Sequence, residues 1–450
     1  MKNLRPALLA LQLVALPLAT LAQTPPSTGG GNKNEAAAED DALSLQAEPD
    51  QPAAASGTAG TASPAAPAAA TSTLKLYAEA AVGRVSQRYG LPTLDTRRLS
   101  LDYSQSWQPA TGWRLSLSNR LDSLHPVDSG ERSTVNSLRE AYASWQDAGG
   151  AWVLEAGRIN LRNGPAYGFN PTDYLREDAL RTVTTADPLA LRENRLGTVM
   201  LRAQRLWTGG ALSLALAPKL ADAASDDSFS LDLGATNRRR KALLSWSQSW
   251  GERFSTQALA YGEDGRAPQL GANATWLLSD AAVAHGEWSR GSETDRLAQA
   301  LGLPAERRSR DRAAAGLTYT TASRLALTLE YQHNGAAPDR AAWDAAAALA
   351  GSGGLGGYLL DVQRRQDSAS RSAWLVYASQ KSLLWKNLDL AGFVRINGED
   401  HSRFTWLEAR WHFDRVDLAA QWLDSRGRSH SEYGVIPNRR SLQLLAAVYF

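Results

Sequence analysis

Few residues in this chain have the types and spacing that chemistry would need. Its 450 residues include six His and no Cys, so thiolate nucleophiles, thiolate metal sites and disulfides are excluded. None of the His has the His-Glu-x-x-His spacing that turns two imidazoles of one helix face toward a zinc ion. His285 and Ser289 share parity on one alternating stretch, so a base and a nucleophile can be drawn there. Four positions along a strand hold them too far apart for direct contact, however. No glycine-rich phosphate loop, nucleophile elbow or paired catalytic carboxylates stands in a supporting context. The expectation is a chain that is not an enzyme and carries no cofactor and no metal.

Charge and aromatic character concentrate instead in one segment, which opens with Gly157-Arg158 and runs as a polar loop to about Arg195. A loop of this length between regular elements is either functional or disordered, and its composition is not that of disorder. Tyr167, Phe169 and Tyr174 supply apolar anchors, while Gly164, Gly168 and Asn170-Pro171 supply turns. Arg158, Arg162, Arg176, Arg181, Arg192 and Arg195 interleave with Asp173, Glu177, Asp178, Asp187 and Glu193. Two readings stand side by side: opposed charges that set a transverse field across a pore, or a salt-bridged loop that only holds itself in place. On the first reading residues 161–194 form a constriction, with Arg158, Arg162, Tyr167, Phe169, Asn170, Asp173, Arg176 and Arg181 as its candidate residues.

The elements around this segment have a period of two. From Leu74 onward, stretches of about ten residues alternate apolar with polar side chains, as a strand with two unlike faces requires. In 325–332, Leu325, Leu327, Leu329 and Tyr331 point one way and Thr328, Glu330 and Gln332 the other. About eighteen strands are expected. They start near Leu74, Arg97, Gly112, Asn136, Ala151, Arg195, Gly210, Lys241, Arg253, Gln269, Ala281, Asp311, Arg324, Arg371, Leu388, Arg403, Arg415 and Ser441. Tight links at 109–112, 147–150, 208–210, 251–252, 279–280 and 414–415 alternate strictly with long polar ones, as short periplasmic turns and long outer loops do.

Trp107, Trp113, Trp145, Trp152, Trp207, Trp250, Trp276, Trp385 and Trp411 sit at or beside the short turns, where an aromatic girdle at a membrane boundary would run. The fold class is therefore all-β: a closed antiparallel transmembrane barrel of sixteen to eighteen strands over 74–450. Its candidate lumen wall carries Arg98, Arg114, Arg120, Glu330, Arg395, Glu408 and Arg410. With Arg202, Glu79, Asp102, Asp122 and Asp417 on the same faces, that wall is mixed in sign.

The ends fit the same plan. Lys2 and Arg5 precede an apolar run ending in Ala19-Thr20-Leu21-Ala22, the pattern of a signal peptide over 1–22. Residues 23–73 are rich in Ala, Pro, Gly, Ser and Thr, and read as a disordered periplasmic linker that could dock a periplasmic partner. A net charge of +2 gives no nucleic-acid signature, and no apolar run after residue 22 is long enough for a helical span. Basic clusters at Arg238-Arg239-Arg240-Lys241, Arg307-Arg308-Ser309-Arg310 and Arg439-Arg440 suit lipopolysaccharide phosphates, or else anionic solutes. Residues 341–349 read as a short Ala-rich helix within another long loop.

The last residues, Leu442-Gln-Leu-Leu-Ala-Ala-Val-Tyr-Phe450, resemble the terminal strand of Gram-negative outer-membrane proteins, with Leu442, Leu444, Ala446, Val448 and Phe450 on one face. The Gly157-Arg158 strand end and the Asn170-Pro171 loop resemble those of porin-like and alginate-export-like barrels. The resemblance implies recognition of Phe450 by the barrel-assembly machinery, a place in the outer membrane among lipid and lipopolysaccharide, and passive passage of small polar or anionic solutes. An export or assembly barrel coupled to periplasmic partners, and a structural barrel that transports nothing, are the alternatives.

Overall fold

Alternation of apolar and polar residues becomes eighteen antiparallel strands in the computed structural model, which describes residues 73–126, 133–225, 227–383 and 385–450. In chain order these are β1 (Thr73–Gln87), β2 (Leu94–Trp107), β3 (Trp113–His125), β4 (Thr134–Gln146), β5 (Trp152–Ile159), β6 (Thr198–Trp207), β7 (Gly210–Ala217), β8 (Lys241–Trp250) and β9 (Phe254–Glu263). They continue as β10 (Gln269–Ser279), β11 (Ala282–Thr294), β12 (Arg307–Thr320), β13 (Leu325–Asn334), β14 (Ser372–Gln380), β15 (Leu388–Asn397), β16 (Arg403–His412), β17 (Val416–Arg426) and β18 (Asn438–Tyr449). Each pairs with its sequence neighbours, and β1 pairs with both β2 and β18, so the sheet closes. The Phe450 amide donates to the Leu76 carbonyl at 3.0 Å, carrying the seam to the final residue. Closure leaves no strand edge, the condition for a sheet to sit in hydrocarbon with its backbone groups paired.

Every strand starts within four residues of the position read from the sequence. The two faces also separate as expected. On β13, Leu327, Leu329 and Tyr331 are exposed on the outer surface, while Thr328, Glu330 and Gln332 are buried inside. On β18, Leu442, Leu444, Val448 and Phe450 face out and Ser441, Gln443 and Ala447 face in. A one-residue slip would turn Glu79 and Arg98 to the apolar side, so the buried charges fix the register. The nine turn-side Trp lie at the end of the barrel where β1 begins, and Trp288, Tyr331, Trp374 and Trp422 form a second outward set toward the other end.

Two expectations need correction. Link length does not alternate strictly: outer connections at 264–268 and 398–402 are as tight as the opposite turns, the first closed by the Arg266 amide on the Glu263 carbonyl at 3.0 Å. The Ala-rich helix is also longer than 341–349. It runs over Arg340–Arg364 through a glycine-rich middle, because Leu355, Tyr358, Leu359 and Val362 are buried in a shared core that holds the far half. Four other short helices lie in outer loops. With the long helix fourth in chain order, they are α1 (Pro188–Glu193), α2 (Leu233–Thr236), α3 (Arg296–Ala300), α4 (Arg340–Arg364) and α5 (Glu432–Val435). Leu297 of α3, Trp343 of α4 and Val435 of α5 join that core, which forms a cap over one side of the outer mouth. The expected signal peptide over 1–22 and linker over 23–73 lie outside the described residues, save Thr73, which opens β1.

Candidate functional site

The connection 160–197 leaves β5 and enters the barrel. Its apolar residues divide between two opposite stretches of wall, which is what draws it across. Leu161 and Leu175 pack with Met200, Leu243, Leu259 and Tyr261 on the β6–β9 side. Tyr167 packs with Leu375, Tyr377, Phe393, Trp406 and Leu423 on the β14–β17 side. Tyr174 stacks on Tyr261 with ring centroids 4.9 Å apart and planes 3° from parallel.

Two buried wall carboxylates hold the crossing by its backbone. Glu287 of β11 accepts from the Ala166 amide (2.7 Å), Asn170 Nδ2 (3.0 Å), the Thr172 amide (3.2 Å) and Thr172 Oγ1 (2.8 Å). Glu330 of β13 accepts from the amides of Tyr167 (2.6 Å) and Gly168 (3.0 Å). Charge-assisted bonds to a buried carboxylate are about twice as strong as neutral ones, so these two side chains turn an irregular loop into a fixed shelf. Gly164 has φ +88° and lies against Glu287, where a β-carbon would overlap the carboxylate.

Most charges of the loop are consumed by partners. Asp173 pairs with Arg195 at 2.8 Å and with Arg192 at 3.7 Å. Arg176 lies over the Phe169 ring (5.2 Å) and reaches Asp367 at 3.4 Å. Glu177 pairs with Arg266 and Arg365, and Asp178 with Arg238 and Arg364. Arg181 donates to the carbonyls of Asn136 (2.7 Å) and Ser230 (2.8 Å). Arg158 donates to those of Leu138 and Asp232, each at 3.1 Å, so it clamps the neighbouring 218–240 loop rather than joining Tyr167, Phe169 and Asn170. Arg162 is exposed and 3.9 Å from Glu193. Most of the loop's charges thus meet partners, some within the loop (Asp173 with Arg192 and Arg195) and more on neighbouring loops (Asp367, Arg266, Arg365, Arg238 and Arg364).

Wall charges are matched in the same way. Arg98 meets Glu79 at 2.5 Å, and Arg120 meets Asp122 at 3.0 Å and Glu79 at 3.2 Å. Arg410 meets Glu408 at 2.5 Å, and Arg395 meets Glu432 at 3.0 Å. Arg114 faces inward at the opposite, turn-side end, where it is exposed.

Above the shelf lies a polar cavity of about 300 Å³ open toward the outer side. Arg238, Arg239, Lys241, Arg266, Arg364 and Arg365 line it against Glu177, Asp178, Asp222 and Glu263, so cations outnumber carboxylates by two. Burial would raise Glu177, but Arg266 and Arg365 outweigh it and hold that carboxyl well below the usual range. Asp367 behaves alike: against its burial, Arg312, Arg296 and Arg176 keep it at about 2. Asp187, which caps α1 by accepting from the Leu189 amide at 3.2 Å, is pushed up to about 7 by its burial, with Glu408 and Glu193 adding to the rise.

Sequence reasoning missed Glu287, although it shares parity with His285 and Ser289 on β11. These two also engage the interior: His285 Nε2 lies 3.2 Å from Glu330, and Ser289 Oγ is 3.0 Å from the Tyr174 hydroxyl. Arg139 escaped because an irregularity in the pairing at Ser118/Asn119 changes which residues of β4 face inward. It donates to Ser118 Oγ (3.0 Å) and to the loop's Asn194 side chain (2.8 Å). No cluster of three or more His, Asp or Glu able to hold a metal occurs among the described residues.

No protein-family model and no curated protein matches the chain. Solved structures match it at low identity. Acinetobacter baumannii OccAB1 aligns with a TM-score of 0.54 at 9% identity, covering 84% of this chain and 96% of that one. Pseudomonas aeruginosa OccK5 (OpdH) gives 0.53 at 9%, covering 84% and 98%. Pseudomonas aeruginosa OpdQ gives 0.51 at 10%, covering 84% and 97%. The likeness is one of fold, that of a porin-like barrel.

Proposed function

We propose that the protein is a passive channel for small polar or anionic solutes across the outer membrane of a Gram-negative bacterium, with 161–194 as its constriction. The observation that carries this reading is the shelf itself, a polar loop drawn across a closed barrel and bonded to Glu287 and Glu330 beneath a cation-rich cavity. Solutes enter past Arg238, Arg239 and Arg266, whose surplus charge favours anions, and leave by the turn-side end near Arg114. Conduction needs entry to be favourable without trapping, and carboxylates set among the arginines serve that end. In this account Phe450 is read by the barrel-assembly machinery, and residues 23–73 tether the barrel to a periplasmic partner.

A barrel that transports nothing is the second reading, favoured by the α3–α4–α5 core that roofs part of the mouth. Single-channel recording in planar bilayers separates the two. A channel gives discrete open steps, larger once 161–194 is deleted and with a reversal potential favouring anions. Silence from both proteins supports the closed scaffold.

A further inference from the structure

The outer wall of the barrel carries a built pocket that the channel reading does not use. Near the outer ends of β15 to β18, alternation puts Val394 and Ile396, Arg403 and Thr405, Trp422, Asp424 and Arg426, and Arg440 and Leu442 on the same outward face. Six of them, Val394, Arg403, Thr405, Trp422, Asp424 and Arg426, line an open cavity of about 150 Å³. Val394 and Trp422 are its apolar members. Among the polar ones, Asp424, with a side chain only 2% exposed, accepts from Arg440 Nε at 3.2 Å and pairs with Arg426, and Arg440 also lies over the Trp422 ring at 5.9 Å.

These contacts aim two guanidiniums without neutralising both. Arg426 and Arg440 stay about half exposed, and Arg403, directly across the ladder from Arg426, meets no carboxylate among the described residues. Three cations against one carboxylate leave a surplus of two positive charges on a surface that faces lipid. In an apolar setting such a surplus is costly unless an anion meets it. The geometry points to a site for a phosphorylated glycolipid of the outer leaflet: a lipopolysaccharide phosphate held by Arg403, Arg426 and Arg440, with acyl chains lying over Trp422, Leu407 and Leu442. A phosphate carries close to two negative charges near neutral pH, which matches the surplus, and guanidinium forks fit its oxygens bidentately. Arg84 and Arg97 on β1 and β2 also point outward at the same level, Arg84 beside Asp95 at 3.6 Å. This inference rests on the outward face being the lipid face, but not on conduction.

The test uses the full mature protein in mild detergent, titrated with bisphosphorylated lipid A and followed by native mass spectrometry. Wild type is expected to bind it, and R403Q/R426Q/R440Q to bind at least about tenfold more weakly, a loss of roughly 1.4 kcal/mol. R290Q/R307Q, which removes arginines of β11 and β12, is expected to bind like wild type. Equal binding by the triple variant overturns the site, as does equal affinity for lipid A stripped of phosphate. Displacement by millimolar inorganic phosphate would mark a free-anion site, and loss of an oligomer in the triple variant would mark a face for a second copy. Either would overturn the lipid assignment. If the triple variant fails to assemble, R403Q alone decides, since Arg403 supports no other side chain; unchanged lipid A binding there also overturns the proposal. Unaltered conductance in these variants keeps the outcome separate from that of the channel reading.

Discussion

Removing the two carboxylates under the shelf should open the pore. In E287A/E330A the loop loses the bonds from Ala166, Asn170 and Thr172 to Glu287 and those from Tyr167 and Gly168 to Glu330. A hydrogen bond to a charged group contributes about 1.5 to 3 kcal/mol, so the set amounts to roughly 9 kcal/mol at the low end. Water entering the vacated space replaces part of this and the bonds are not additive, leaving about 4 kcal/mol of docking lost. The apolar contacts of Leu161, Tyr167 and Leu175 remain, so the loop should sample released states rather than leave entirely. The barrel, closed by its own ladders, should assemble normally and keep its heat-modifiable mobility in gels. In planar bilayers the variant should show larger mean conductance and added open-channel noise, and exchange of amides 164–173 should quicken. Conductance and noise equal to wild type, with exchange accelerated, would mean that the loop does not limit the path. Unchanged exchange would refute the anchoring argument itself.

The remaining predictions concern single groups. Docking should weaken with pH because of Asp187: its folded value is about 7, whereas in a released loop it returns to the ordinary aspartate range. Between those values the docked loop holds a proton that the released loop does not, so stability is fullest at low pH and falls by a few kcal/mol as pH rises to 7. Open-channel noise should therefore be greater at pH 8 than at pH 5, and D187N, which keeps the helix cap, should flatten the profile; a flat wild-type profile contradicts this. G164A should push the loop off Glu287 and mimic part of the E287A effect, whereas G251A, in an open turn, should change nothing in conductance. Deleting Phe450 removes the bond to Leu76 and should lower the amount of barrel in the outer membrane; normal levels on heat-modifiability gels would count against its role.

How much of this could be read from the chain follows from the range of the interactions. Strand positions were legible because lipid on one face and packed polar groups on the other impose alternation residue by residue, as in Leu327, Thr328, Leu329 and Glu330. Closure was legible in the apolar face of 442–450. The depth to which 160–197 enters the barrel was partly legible, since Tyr167 and Phe169 demanded burial. What they pack against was not: Tyr167 meets Tyr377 and Trp406, more than two hundred positions away, and nothing local encodes that pairing. The role of Glu287 was hidden for the same reason, because a carboxylate at an inward position looks alike whether it faces water or holds a loop. Helix α4 was cut short in the reading because glycine weighs against a helix locally, while the core that outweighs it is assembled from three separate loops.

Consecutive residues of each strand face lipid and packed interior in turn, and this can be measured directly. With no native Cys, single cysteines at positions 326 to 331 of β13 can each carry a nitroxide in the reconstituted protein. Electron paramagnetic resonance power saturation with oxygen, which concentrates in hydrocarbon, then reports each side chain's surroundings. Accessibility is expected to have a period of two, highest at Leu327, Leu329 and Tyr331 and lowest at Thr328 and Glu330. A profile without that period, or with maxima at Thr328 and Glu330, would contradict it.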